Sequence, residues 1–132
     1  MPSFTDAHGK TWSVRVDVAA LQRIKDECDG LNLLSLLEDM TNPFWSDPAA
    51  QMKVLYAILK PQGASLERLM DGMGGEIYNT AQEALIEACI DFFAGRRKEV
   101  LKVAWTKAKE ETEKALQSAL KDLSGNAPES QE

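Results

Sequence analysis

The fold is decided by residues 4–16, which read Phe4-Thr5-Asp6-Ala7-His8-Gly9-Lys10-Thr11-Trp12-Ser13-Val14-Arg15-Val16. Apolar and polar side chains alternate on both sides of the Asp-Ala-His-Gly segment, which is the period of a strand with one buried face. Gly9 can adopt the positive φ that a tight hairpin turn needs. From Asp17 to residue 123 the apolar period becomes helical. We therefore predict a mainly α fold, a helical bundle with an N-terminal β-hairpin over residues 1–16.

One face of this hairpin needs a cover. Trp12, Val14 and Val16 alternate with polar residues and therefore share a face of the second strand. An isolated two-stranded hairpin is only marginally stable in water. We expect this face either to dock on the helices or to meet a second subunit as an oligomer contact.

The bundle itself is predicted over residues 17–95. Asp17 is expected to be the N-cap of its first helix, and Leu31 to Met40 is predicted to form a second, short apolar helix. Pro43 predicts a loop over residues 41–46, and further helices follow Ser46 or Asp47 and Ser65. Residues 76–94 carry one narrow polar stripe on an otherwise apolar circumference, which is typical of a helix at the centre of a bundle.

The last helix is predicted over residues 96–123 and would be about 40 Å long at 1.5 Å per residue. That length exceeds a bundle of shorter helices, so part of it is expected to pair with a second copy or to hold another helix. Residues 124–132 have the composition of a disordered tail. Together these patterns predict a single domain over residues 1–123.

Composition and charge narrow the class of protein. The chain has 132 residues and a net charge of −6. Residues 1–95 carry 7 basic and 14 acidic side chains, whereas residues 96–122 carry 8 basic and 5 acidic ones. A basic excess this small argues against nucleic acid as a partner, because a DNA-binding face is strongly basic. Neither a membrane span nor a signal peptide is predicted, which favours the cytoplasm.

No group of residues predicts catalysis, a cofactor or a metal. His8 is the single histidine and lies in the predicted turn without a nucleophile beside it. The carboxylates of Glu83, Glu87 and Asp91 lack the Glu-x-x-His partner that helical metal sites use. Cys28 and Cys89 are 61 positions apart and are expected to be buried as small hydrophobic residues. We therefore predict a protein that is not an enzyme.

The chain resembles the tail assembly chaperones of long-tailed bacteriophages and related prophages. Three stretches carry this resemblance: the hairpin with the helix up to Lys25, the run Leu31-Asn32-Leu33-Leu34-Ser35-Leu36-Leu37, and the segment from Val54 to Gln62 continued by Ser65-Leu66-Glu67 and Ala84 to Phe93. They cover about residues 4–93 and consist of packing residues.

The resemblance implies a non-enzymatic protein of the bacterial host cytoplasm that forms an oligomer and binds the tape-measure protein. A tape measure is long, helical and apolar, and a chaperone would accept one of its amphipathic helices in a groove. No binding residue can be transferred from the family, so the partner-binding prediction comes from the last helix: Leu101, Trp105, Ala108 and Leu116. Two alternatives stay open, namely a neck or tail-completion protein acting as an oligomeric ring, and a small helical regulator that binds nucleic acid.

Overall fold

The computed structural model of the chain describes residues 2–126, with side chains described as far as Asp122. The predicted architecture is confirmed, because a two-stranded antiparallel hairpin precedes six α-helices. The hairpin consists of β1 (Ser3–Thr5) and β2 (Thr11–Ser13), with Phe4 directly opposite Trp12. Both strands are shorter than the alternating pattern, although the Val14 amide still donates to the Pro2 carbonyl at 2.9 Å.

The helices follow the predicted order. Their bounds are α1 Val18–Glu27, α2 Leu33–Leu37, α3 Pro48–Leu59, α4 Leu66–Met70, α5 Gly75–Phe92 and α6 Gly95–Asn126. Four of them begin at a side chain that accepts a hydrogen bond from the first turn, namely Asp17, Asn32, Asp47 and Ser65. The sequence therefore marks helix starts through capping residues as well as through apolar periodicity.

The region before α3 differs from the prediction. We predicted one helix from Leu31 to Met40, but only Leu33–Leu37 is helical. Asn32 caps the helix, which therefore begins at Leu33. Near its other end, the carbonyl of Leu36 accepts a hydrogen bond from the Trp45 indole at 2.8 Å. The predicted loop contains a 3₁₀ turn, Pro43–Ser46, which buries Phe44 and Trp45. The polar capping residues of the two segments therefore set the helical bounds, and the apolar run of leucines does not extend them.

The chain falls into two compact units, one ending at Phe93 and the other beginning at Ala94. The single domain over residues 1–123 stays a prediction. The second unit consists of α6, which extends through Asn126 and so passes the predicted end at residue 123. The rest of the predicted tail, residues 127–132, lies outside the described residues. No helix in the described part of the chain is long and apolar enough to cross a membrane.

Helix α5 lies at the centre of the first unit. Its buried residues are Ala81, Ala84, Leu85, Ile86, Ala88, Cys89 and Ile90, while Glu83 and Asp91 of the predicted polar stripe are exposed. β1 packs against α5, and α1 packs against α3. Burial raises the pKa of the Cys89 thiol to about 12, which keeps it protonated at neutral pH. Cys28 is only half-buried, so the prediction of a buried small residue is correct for Cys89 and too strong for Cys28.

Candidate interaction surfaces

The predicted docking face of the hairpin is covered within the first unit. Trp12 is 1% exposed, Val14 is fully buried and Val16 is 6% exposed. The outward carbonyl of Ser13 accepts a hydrogen bond from Gln62 Nε2 at 2.9 Å. The three side chains and this backbone group are therefore already used inside the chain, and they offer no surface to a second subunit.

A buried carboxylate holds the hairpin turn, and sequence reasoning missed it. Asp6 is 4% exposed and accepts hydrogen bonds from the Trp12 indole at 2.8 Å and from the amides of His8 and Lys10 at 2.9 Å each. Loss of solvent would raise the pKa of Asp6, but the bonds from Trp12, Lys10 and His8 and the attraction of Arg68 outweigh it. The pKa is lowered. An Asp that begins a turn ending in Gly was the available signal.

His8 and Asp71 form the nearest approach to a chemical site. Their Nε2 and Oδ2 atoms are 3.0 Å apart, and both side chains are substantially exposed. They line a shallow depression of about 600 Å³ together with Ser65, whose hydroxyl accepts from the Arg68 amide as the N-cap of α4. That cap engages the serine oxygen, so the arrangement holds an imidazole and a carboxylate without an activated nucleophile. Within the described residues no cluster fit to hold a metal ion is found.

A polar network is buried between α3 and α5. Gln51 is fully buried and donates to the Phe44 carbonyl at 2.9 Å. Its side-chain oxygen accepts from the Tyr78 hydroxyl at 3.0 Å and from Gln82 at 3.1 Å. Gln82 also donates to the Trp45 carbonyl at 3.1 Å. The network fixes the 3₁₀ turn against two helices, and every group named here has a partner, which identifies it as structural.

The four predicted partner-binding residues share one face of α6. At 100° per residue, Leu101, Trp105, Ala108 and Leu116 fall within about 80° of the helix circumference. Leu101 and Trp105 are half-buried, whereas Ala108 is exposed and Leu116 is 57% exposed. Leu120, on the edge of the same face, is 56% exposed. The C-terminal half of this stripe is therefore an exposed apolar surface on a regular helix.

Charge divides α6 into two halves. Residues 96–109 carry six basic side chains and one acidic side chain, whereas residues 110–122 carry two basic and four acidic ones. Within the first half, the Lys109 ammonium lies 5.3 Å from the centre of the Trp105 ring. The apolar stripe thus runs from a basic segment into an acidic one.

The first unit has a second depression, of about 440 Å³, between the start of α1 and the end of α5. Val16 and Ala88 contribute to its lining, and Val18, which also lines it, is 72% exposed. Arg15, Asp17 and Asp91 add charges of both signs. This is the kind of shallow, mixed surface that accepts another protein more readily than a small molecule.

Comparison with known protein families, with curated proteins and with solved structures gives no match for this chain.

Proposed function

We propose that the protein is a non-enzymatic tail assembly chaperone of a phage or prophage, which binds the tape-measure protein in the bacterial cytoplasm and keeps it soluble. The resemblance over residues 4–93 suggests the class, and the exposed apolar stripe of α6 is the observation that carries the proposal. A monomeric soluble protein seldom leaves an organised apolar helix face in water unless it binds something.

The stripe fits a helical partner. Leu116 and Leu120 are both more than half exposed and lie one turn apart. Ala108 and Ala115 between the larger residues allow another helix backbone to approach closely. An amphipathic segment of a tape measure would place its apolar residues against this face and leave its polar side in water.

The charges flanking the stripe would select the partner's orientation. The basic residues 96–109 favour an acidic stretch of the bound helix, and the acidic side chains of residues 110–122 favour a basic one. A partner helix with the opposite charge order along its length would therefore bind in one direction.

Co-expression with the tape-measure protein encoded in the same phage or prophage genome tests the proposal. The wild-type chain should keep the tape measure in the soluble fraction and copurify with it. Leu116→Glu should abolish this effect because it places a charge in the apolar stripe. Val103→Glu is the matched control, since Val103 is 67% exposed but lies on the opposite side of α6. A tape measure that stays insoluble with the wild-type chain would refute the chaperone function.

The two alternatives give different results in the same preparations. A stable ring formed by the purified chain alone would favour a neck or tail-completion protein. Salt-sensitive DNA binding that is lost on replacing Arg96 and Lys102 would favour a regulator, because the basic half of α6 would then be the binding surface.

A further inference from the structure

We propose that, in the absence of another partner, the stripe of α6 is covered by α6 of a second copy of the chain, running antiparallel and centred on residue 110. The proposal concerns self-association and does not depend on the identity of any other protein. A second copy and a tape-measure helix would occupy the same face, so the pairing describes the chain before that partner binds.

The order of charges favours the antiparallel direction. An in-register parallel pair would place the two 96–109 segments, each with six basic side chains and one acidic side chain, next to each other. An antiparallel pair places each of these segments beside the other copy's residues 110–122, which carry four acidic side chains and two basic ones. Like charges along one helix pair repel and opposite charges attract, so the antiparallel pair is the more stable of the two.

The centre at residue 110 follows from the length and faces of the helix. α6 spans Gly95–Asn126, so a pair centred on Glu110 overlaps along nearly the whole helix. Glu110 itself lies about 180° around the helix from Leu101, so the two copies of this glutamate point away from the contact. In this register the stripe of each helix faces the stripe of the other.

Side-chain sizes are complementary in this register. Leu101 lies level with Ala119 of the second copy, and Leu116 lies beside the second copy's Trp105. Ala115 meets Ala104 of the second copy, where two small residues let the helices approach. Near the centre of the contact, the Thr112 hydroxyl already donates to the Ala108 carbonyl of its own helix at 2.9 Å. Covering it therefore leaves no unsatisfied hydroxyl.

The flanking charges also match. Lys109 and Glu113 lie on one edge of the stripe, and in this register Lys109 of one copy lies beside Glu113 of the other. This contact occurs twice because the pair is two-fold symmetric. Lys109 and Glu113 are also four residues apart on the same helix, so an experiment must separate pairing between chains from pairing within a chain.

Sedimentation of mixed charge variants distinguishes pairing between chains from pairing within a chain. The wild-type chain should sediment as a dimer at micromolar concentrations. Lys109→Glu and Glu113→Lys should each raise the dissociation constant about tenfold, because each turns two attractions into repulsions. An equimolar mixture of the two single variants should regain wild-type association, since the side chain introduced by Lys109→Glu in one chain then meets the one introduced by Glu113→Lys in the other. The contact within each helix stays like-charged in the mixture, so only pairing between chains explains the recovery.

The apolar part of the contact is tested in the same way. Leu116→Glu should raise the dissociation constant about a hundredfold, and Val103→Glu should leave it unchanged. Far-ultraviolet circular dichroism of both variants checks that α6 stays helical. A wild-type chain that is monomeric throughout the micromolar range would overturn the proposal and leave the face to a helix of another protein. A dimer whose mixed charge variants fail to recover would overturn the antiparallel register.

Discussion

The hairpin and the last helix each carry a tryptophan on an amphipathic element, and they use it differently. Trp12 is 1% exposed and its indole donates to the buried Asp6. Trp105 is half-buried, in a stripe whose other end is open to solvent at Leu116. An apolar face that its own chain covers stabilises the fold, whereas one left in water is available to contact another molecule.

The largest expected effect is a difference in the loss of unfolding free energy between variants of two helical leucines. Leu85 is fully buried in α5, and Leu116 is 57% exposed in α6. Leu85→Ala should lower the free energy of unfolding by about 2–5 kcal/mol, because it leaves a cavity in the core. Leu116→Ala should lower it by about 0.5 kcal/mol or less at concentrations where the chain is monomeric. Urea unfolding of both variants measures the difference, and equal losses would contradict the assignment of α6 as a surface.

A smaller loss is expected from the buried polar network of the first unit. Gln51→Leu removes the partner of the Tyr78 hydroxyl and of the Phe44 carbonyl, and should cost about 2–3 kcal/mol in unfolding free energy. Gln22→Leu is the matched control, because Gln22 is an exposed helical glutamine bonded to Asp26 at 3.1 Å. That change should cost about 0.5 kcal/mol or less. Equal urea midpoints for the two variants would show that the network contributes no stability.

These two sites also show where sequence reasoning succeeds and fails. The hairpin and the central position of α5 are readable because periodicity reports which face is buried. Gln51 is not readable in this way, since a polar residue on a helix suggests the solvated side. Its partners Tyr78 and Gln82 are 27 and 31 positions away along the chain. Burial of a polar group depends on such distant partners, and a local pattern contains no information about them.

The stripe of α6 was predictable for a related reason. Leu101, Trp105, Ala108 and Leu116 follow helical spacing, and helical spacing alone places them on one face. What covers that face is a property of another molecule or of another copy. The pattern therefore predicts a surface without naming its occupant.

The next prediction concerns the close approach of the hairpin turn to the segment after α4. Gly72 has a φ of +72°, and a Cβ there would lie 2.5 Å from the Ala7 Cβ. Gly30 has a similar φ of +78° and open space around it. Both Gly→Ala changes should cost about 1 kcal/mol from the positive φ, and Gly72→Ala about 1 kcal/mol more from the clash. Thermal unfolding compares the two variants. Equal shifts in the unfolding temperature would mean that the hairpin turn moves away from the added methyl group without cost.

The smallest effect is the contribution of Asp6 to stability at acid pH. Its pKa in the folded chain lies below the ordinary value of 3.8. The unfolded chain therefore takes up the proton first as the pH falls, and the stability from Asp6 is complete above pH 3.8 and lost as the pH falls through the folded pKa.

Asp6→Asn isolates this term, because asparagine keeps the shape but cannot accept all three donors as a carboxylate does. The difference in unfolding free energy between the wild type and this variant should be largest near pH 7 and should shrink at pH values below 3.8. Urea unfolding across this range measures it. A difference that stays constant with pH would show that the charge of Asp6 does not hold the turn, and the contrast between the hairpin and α6 would then depend on apolar burial alone.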